Sequence, residues 1–121
     1  VSKIVVAVNS MIENSSKLSN IIRGSHSNEI YFLFDKKHKW SINKVTDGYI
    51  LIYYPGKQAL EFYASLEAEE WEEHSDYVVY TTKDIGTKEG LESFADLYGV
   101  VKEKVYGMDD VLNDIINTPP F

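Results

Sequence analysis

The chain has 121 residues, 44% of them hydrophobic and 26% charged, which suffices for one globular domain with its own core and is too small for two. With no cysteine and a formal charge of −7, it excludes zinc ribbons, iron–sulfur sites, thiol nucleophiles and disulfide-built scaffolds, and it is compatible with a reducing cytoplasm. No apolar run approaches the roughly 18 residues that span a bilayer, and Ile4–Val8 after Lys3 is too short for a signal peptide, so the expectation is a soluble, cytoplasmic protein with no membrane contact.

Lys3–Val8 is short, aliphatic and rich in valine, as expected of a strand buried on both faces. Ser10 and Glu13 have the spacing of a capping box, which predicts a helix from Ser10, with Met11, Ile12, Leu18, Ile21 and Ile22 at helical spacing and Gly24 as its end. Ile30–Phe34 and the alternating Lys39–Val45 read as a hairpin across the polar residues 35–38. Asp47-Gly48 is the strongest turn signal, and Tyr49–Tyr54 follows as a further strand closed by Pro55-Gly56, completing an antiparallel meander. Residues 58–73 lack Gly, Pro and β-branched side chains and predict a helix, with Leu60, Tyr63, Ala64 and Trp71 on one face. Tyr77–Thr82 predicts a strand. Thr87 opens a helix carrying Leu91, Phe94, Ala95 and Tyr98, with a kink expected at Gly99. Gly107 is a break, and Asp109–Asn117 repeats the helical pattern with Val111, Leu112, Ile115 and Ile116 before Pro119-Pro120.

The fold class these elements predict is α/β, with α+β as its variant. It comprises one compact domain over residues 1–121, with residues 118–121 as a short tail. Its five-stranded mixed sheet has the order β-α-β-β-β-α-β-α-α, with helices packed on the sheet and parallel pairings made through right-handed crossovers.

Charge is split along the chain. Residues 1–60 hold eight Lys or Arg against four acids, whereas residues 61–121 hold four lysines against fifteen acids. An acidic half opposes the phosphate neutralisation that drives duplex binding, so nucleic acid is not expected as a primary partner. A dense negative patch instead suits a protein partner with a basic surface. Glu67, Glu69, Glu70, Glu72 and Glu73 surround Trp71 without an intervening cation, which predicts a protein-binding surface with the indole as anchor and the carboxylates as rim.

The three anticipated strand-to-helix connections carry small, hydroxyl or basic residues: Asn9-Ser10, Gly56-Lys57, and Thr82-Lys83 through Thr87-Lys88. Connections of this kind present helix N-termini to an anion, so a phosphate or carboxylate ligand is expected there if all three share one rim of the sheet. Neither a Walker pattern nor a dinucleotide glycine fingerprint accompanies them.

Other chemistry has little foothold. Glu70, His74 and Asp76 are too few to complete a metal shell, so neither a metal nor another cofactor is expected. His26, His38 and His74 are dispersed, and no nucleophile elbow or Ser-His-Asp constellation can be assembled. The nine tyrosines exceed what a small core requires and leave room for a homodimer through a meander edge or the last helix. The reading is a non-catalytic binding protein, a small acidic inhibitor or immunity-type protein for a basic partner. A sensor or sequestering protein for a small nucleotide-like anion is the alternative, and a small hydrolase the third.

Overall fold

Side chains two apart on a strand face the same way, and here that alternation divides the core into two layers, one on each side of a single sheet. The computed structural model describes residues 2–24, 28–66 and 76–120. In chain order they form α1 (Lys3–Glu13), a 3-10 turn (Ser15–Lys17), β1 (Leu18–Arg23), β2 (Glu29–Phe34), β3 (His38–Val45), β4 (Gly48–Tyr53), α2 (Leu60–Ala64), β5 (Val78–Thr81), α3 (Thr82–Ile85), α4 (Lys88–Val105) and α5 (Met108–Ile116). The strands make one five-stranded sheet with helices packed against it in an α+β domain.

On one face Ile30, Phe32, Ile42 and Leu51 meet Val8 and Met11 of α1 and Phe94, Leu97 and Val101 of α4. The opposite face is smaller. There Tyr31 and Tyr54 pack with Leu60, Tyr63 and Leu66 in and after α2. Helix α4 crosses β1 to β4, and its buried positions Gly90, Phe94, Leu97 and Val101 recur at helical spacing. It runs unbroken through Gly99, an exposed position with open space around it.

Two predicted elements at the start of the chain are exchanged. Lys3–Val8 lies in a helix, not a strand, because Val5, Val8 and Met11 face the core at helical spacing and that packing overrides the β preference of valine. Ser10 accordingly sits inside α1, where its carbonyl accepts the Asn14 backbone N–H and side-chain amide, and caps nothing. Residues 18–23, expected in the helix, form β1 and pair with β2.

With a helix in place of the first strand, no βα crossover remains, and every pairing is antiparallel with the strands in chain order. The link from β4 to β5 is an excursion and not a crossover, because Val78 at the start of β5 pairs with Tyr53 at the end of β4. The helix predicted over residues 58–73 begins at Leu60 and is described to Ala64; the positions from Glu67 to Glu73 lie outside the described residues.

Candidate functional site

The β3–β4 hairpin and the N-terminal end of α4 meet at one end of the sheet. Thr81 caps α3 by accepting the Asp84 N–H at 3.0 Å, Gly86 turns the chain at φ 70°, and Thr87 caps α4 by accepting the Gly90 N–H at 3.0 Å. These local devices bring Thr82, Lys83, Thr87 and Lys88 together around an open hollow of about 400 Å³ beside Asp47. Both threonine hydroxyls accept bonds from the fold, Thr82 from the Tyr49 backbone N–H at 3.0 Å and Thr87 as the cap. Carboxylates share the neighbourhood. Asp84 and Glu89 line an adjoining hollow with Lys88, and Lys88 lies 3.8 Å from Glu92.

The other anticipated ligand-binding residues are elsewhere. Asn9 and Ser10 are exposed positions within α1 and not in a loop after a strand. Gly56 and Lys57 follow β4 at its far end, where Lys39 donates to the Gly56 carbonyl above the Tyr63 ring. Gly56 and Gly86 thus flank opposite ends of β4, and the eight residues form no single site. The physical reason is the exchange at the start of the chain, which removes one strand-to-helix connection, together with the α2 excursion, which carries Gly56 to the sheet's other face.

Of the anticipated protein-binding surface, Glu67, Glu69, Glu70, Trp71, Glu72 and Glu73 lie outside the described residues. The other carboxylates of the acidic half are described. Glu89, Glu92, Asp96 and Glu103 on α4 and Asp109, Asp110 and Asp114 on α5 are all exposed. Among the described residues only two ion pairs form, Lys37–Asp35 and Lys88–Glu92, so most of these carboxylates present their charge to water.

The feature that sequence reasoning missed is the exposure of α5. Gly107, at φ 59°, ends α4 and sets α5 off in a new direction, and no residue of α5 is buried. Val111, Leu112, Ile115 and Ile116 are 43%, 48%, 63% and 75% exposed. At 100° per residue they form one stripe, bordered by Asp109 on one side and Asp114 on the other. The spacing announces an amphipathic helix, but a sequence carries no signal that says whether its apolar stripe meets the core.

The opposite face of the sheet holds a buried tyrosine stack. The Tyr31 and Tyr54 rings lie 5.7 Å apart, and those of Tyr54 and Tyr63 4.7 Å apart. The Tyr54 hydroxyl shares a hydrogen bond of 2.8 Å with Ser41. Burial pushes the Tyr54 phenol up to about 12 and raises that of Tyr31 further. Such a stack is structural, because it seals α2 to the sheet.

Among the described residues no group of three or more His, Asp or Glu side chains is arranged to hold a metal ion, and no helix is long and apolar enough to cross a membrane. Comparison with protein-family models, with curated proteins and with solved structures finds no match.

Proposed function

We propose that this chain is a non-catalytic binding protein that recognises a basic protein partner, as a small inhibitor or immunity-type protein does, and that α5 is the centre of the contact. One observation carries the reading: a nine-residue helix without a buried side chain exposes four contiguous aliphatic residues between aspartates. A contiguous apolar patch with a polar rim is the composition of an interface core, and leaving it in water is unfavourable by roughly 25 cal/mol per Å².

The rim argues for the sign of the partner. Helix α5 carries Asp109, Asp110 and Asp114 and no Lys or Arg, so the charge beside the stripe is negative, which favours a partner whose apolar groove is edged by Lys and Arg. The cysteine-free composition suits a reducing compartment, and the proposal places the protein in the cytoplasm.

The test compares wild type with Ile115→Glu/Ile116→Glu as baits, after circular dichroism has shown both folded. A basic protein retained by wild type, lost with the variant and released as salt rises supports the reading. Equal retention by both baits, or a retained partner that is acidic or indifferent to salt, overturns it. So does a dimer in sedimentation equilibrium that the variant dissolves, since the stripe would then serve a second copy of this chain.

A further inference from the structure

A second concentration of charge, of opposite sign, lies at the hairpin end of the sheet. We infer that Arg23, Lys44 and Lys102 form a binding site for a small molecule bearing several phosphate or carboxylate groups. The inference does not depend on the α5 reading, since it concerns other residues and a ligand of opposite charge.

The three cations come from three elements that the sequence gives no reason to associate: Arg23 ends β1, Lys44 lies near the end of β3, and Lys102 is in the last turns of α4. Two hollows meet there, of about 110 Å³ and 490 Å³, and share Asn28, Tyr98 and Lys102 in their walls. Arg23 and Tyr106 also line the smaller one, and Lys44 and Thr46 the larger. Among the described residues no carboxylate lines either hollow.

Three carboxylates near in sequence are turned elsewhere. Glu29 lies against Gly24 and Tyr31 on the α2 side of the sheet. Asp47 lines the hollow beside α3, and Glu103 the one beside the 3-10 turn. None of the three cations takes part in an ion pair among the described residues. In a chain of charge −7, three cations around two hollows that no described carboxylate lines run against the overall sign of the molecule.

Two of the three cations lie over aromatic rings. The Arg23 guanidinium lies 5.6 Å from the centre of the Tyr106 ring, and the Lys102 ammonium 5.9 Å from that of Tyr98. Burial raises the Tyr98 phenol while Arg23 works in the opposite direction, so the guanidinium charge reaches the shared wall. Stabilisation of the α4 C-terminus accounts for Lys102 alone, because Arg23 and Lys44 come from strands. The Arg23 fork can chelate two oxygens of one anionic group, Lys44 and Lys102 supply point charges for a second, and Asn28 and Thr46 add neutral donors.

The experiment is an amide chemical-shift titration of the full chain, backed by calorimetry, with inorganic pyrophosphate and with citrate, each at matched ionic strength. Saturable shifts centred on Arg23, Asn28, Lys44 and Lys102, weakened about tenfold by Arg23→Gln and by Lys44→Gln, are expected. Lys83→Gln/Lys88→Gln should leave the affinity unchanged. A response to pyrophosphate alone assigns phosphate as the recognised group, and one to citrate alone assigns carboxylate. Lys44 is an exposed strand position, so its variant keeps the test valid should Arg23→Gln unfold. Three results overturn the inference: no saturable shift with either anion at millimolar concentration, shifts centred on Thr87 and Lys88, or equal weakening by the Lys83/Lys88 pair.

Discussion

Gly48 opens β4 at φ 143°, and a Cβ built on it would run into the hydroxyl of Thr82. That hydroxyl is where it is because it accepts the Tyr49 N–H, which ties α3 to the hairpin. Gly48→Ala therefore meets both a strained backbone and a blocked approach. The expected loss is about 2 kcal/mol, read as a fall in Tm of roughly 5–10 °C by calorimetry. Tyr54 makes a different kind of prediction. Its phenol, raised from 10.0 to about 12 chiefly by burial, must stay neutral in the folded state. A raised folded value means that the contribution is intact below pH 10 and is lost as pH climbs through about 12. Urea unfolding should show constant stability from Tyr54 at neutral pH and a loss above pH 10, and Tyr54→Phe should flatten that alkaline limb while leaving the Ser41 hydroxyl unpaired at a cost of about 1–3 kcal/mol.

At the scale of elements, β1 explains why part of the fold is hidden in the sequence. Asn20 adopts φ 52°, and the pairing of β1 with β2 jumps from Ser19↔Leu33 to Ile22↔Tyr31, so Asn20 and Ile21 together oppose Phe32. This bulge restarts the alternation. Leu18 and Ile21, three apart, both reach the α4 side, while Ile22 reaches the α2 side. Three-residue spacing is also the signature of a helix, which is how residues 10–24 come to read as one. Asn20→Gly should be neutral within about 0.5 kcal/mol and Asn20→Val should cost about 2, because a β-branched side chain is strained at positive φ; thermal unfolding of the pair checks it. The meander, with its Phe34-to-His38 and Val45-to-Gly48 turns, is legible because hairpin chemistry is local. So is α4, whose cap at Thr87 and buried positions Phe94 and Tyr98 stand in the sequence. The valines of α1 mislead because their partners on α4 lie some ninety positions on. Of the anticipated ligand-binding residues, the four around α3 do meet, since a few bonds of chain separate them; their proximity to Gly56 depends on topology, which periodicity does not encode.

Over the whole molecule, charge is sorted by surface. Carboxylates are the only charges on α5, while Arg23, Lys44 and Lys102 gather at the hairpin end. A field arranged this way acts on encounter more than on residence. The association rate of the basic partner with α5 should fall steeply between low and physiological ionic strength as the Debye length shrinks to about 8 Å, while the dissociation rate changes little. Stopped-flow mixing separates the two, and a salt effect confined to dissociation would contradict the steering role given to Asp109, Asp110 and Asp114.

Because the order β1-β2-β3-β4-β5 in space is the order of synthesis, each strand can add to one already in place, and the loops that must close from β1 to β4 are short. Helix α1 has to wait, since its packing surface on α4 arrives late in the chain. Rapid barrier crossing through the β2–β4 hairpins follows, with α1 docking on the downhill side. Val8→Ala should then mainly accelerate unfolding, whereas Ile42→Val should slow folding, and the two limbs of a chevron report the difference.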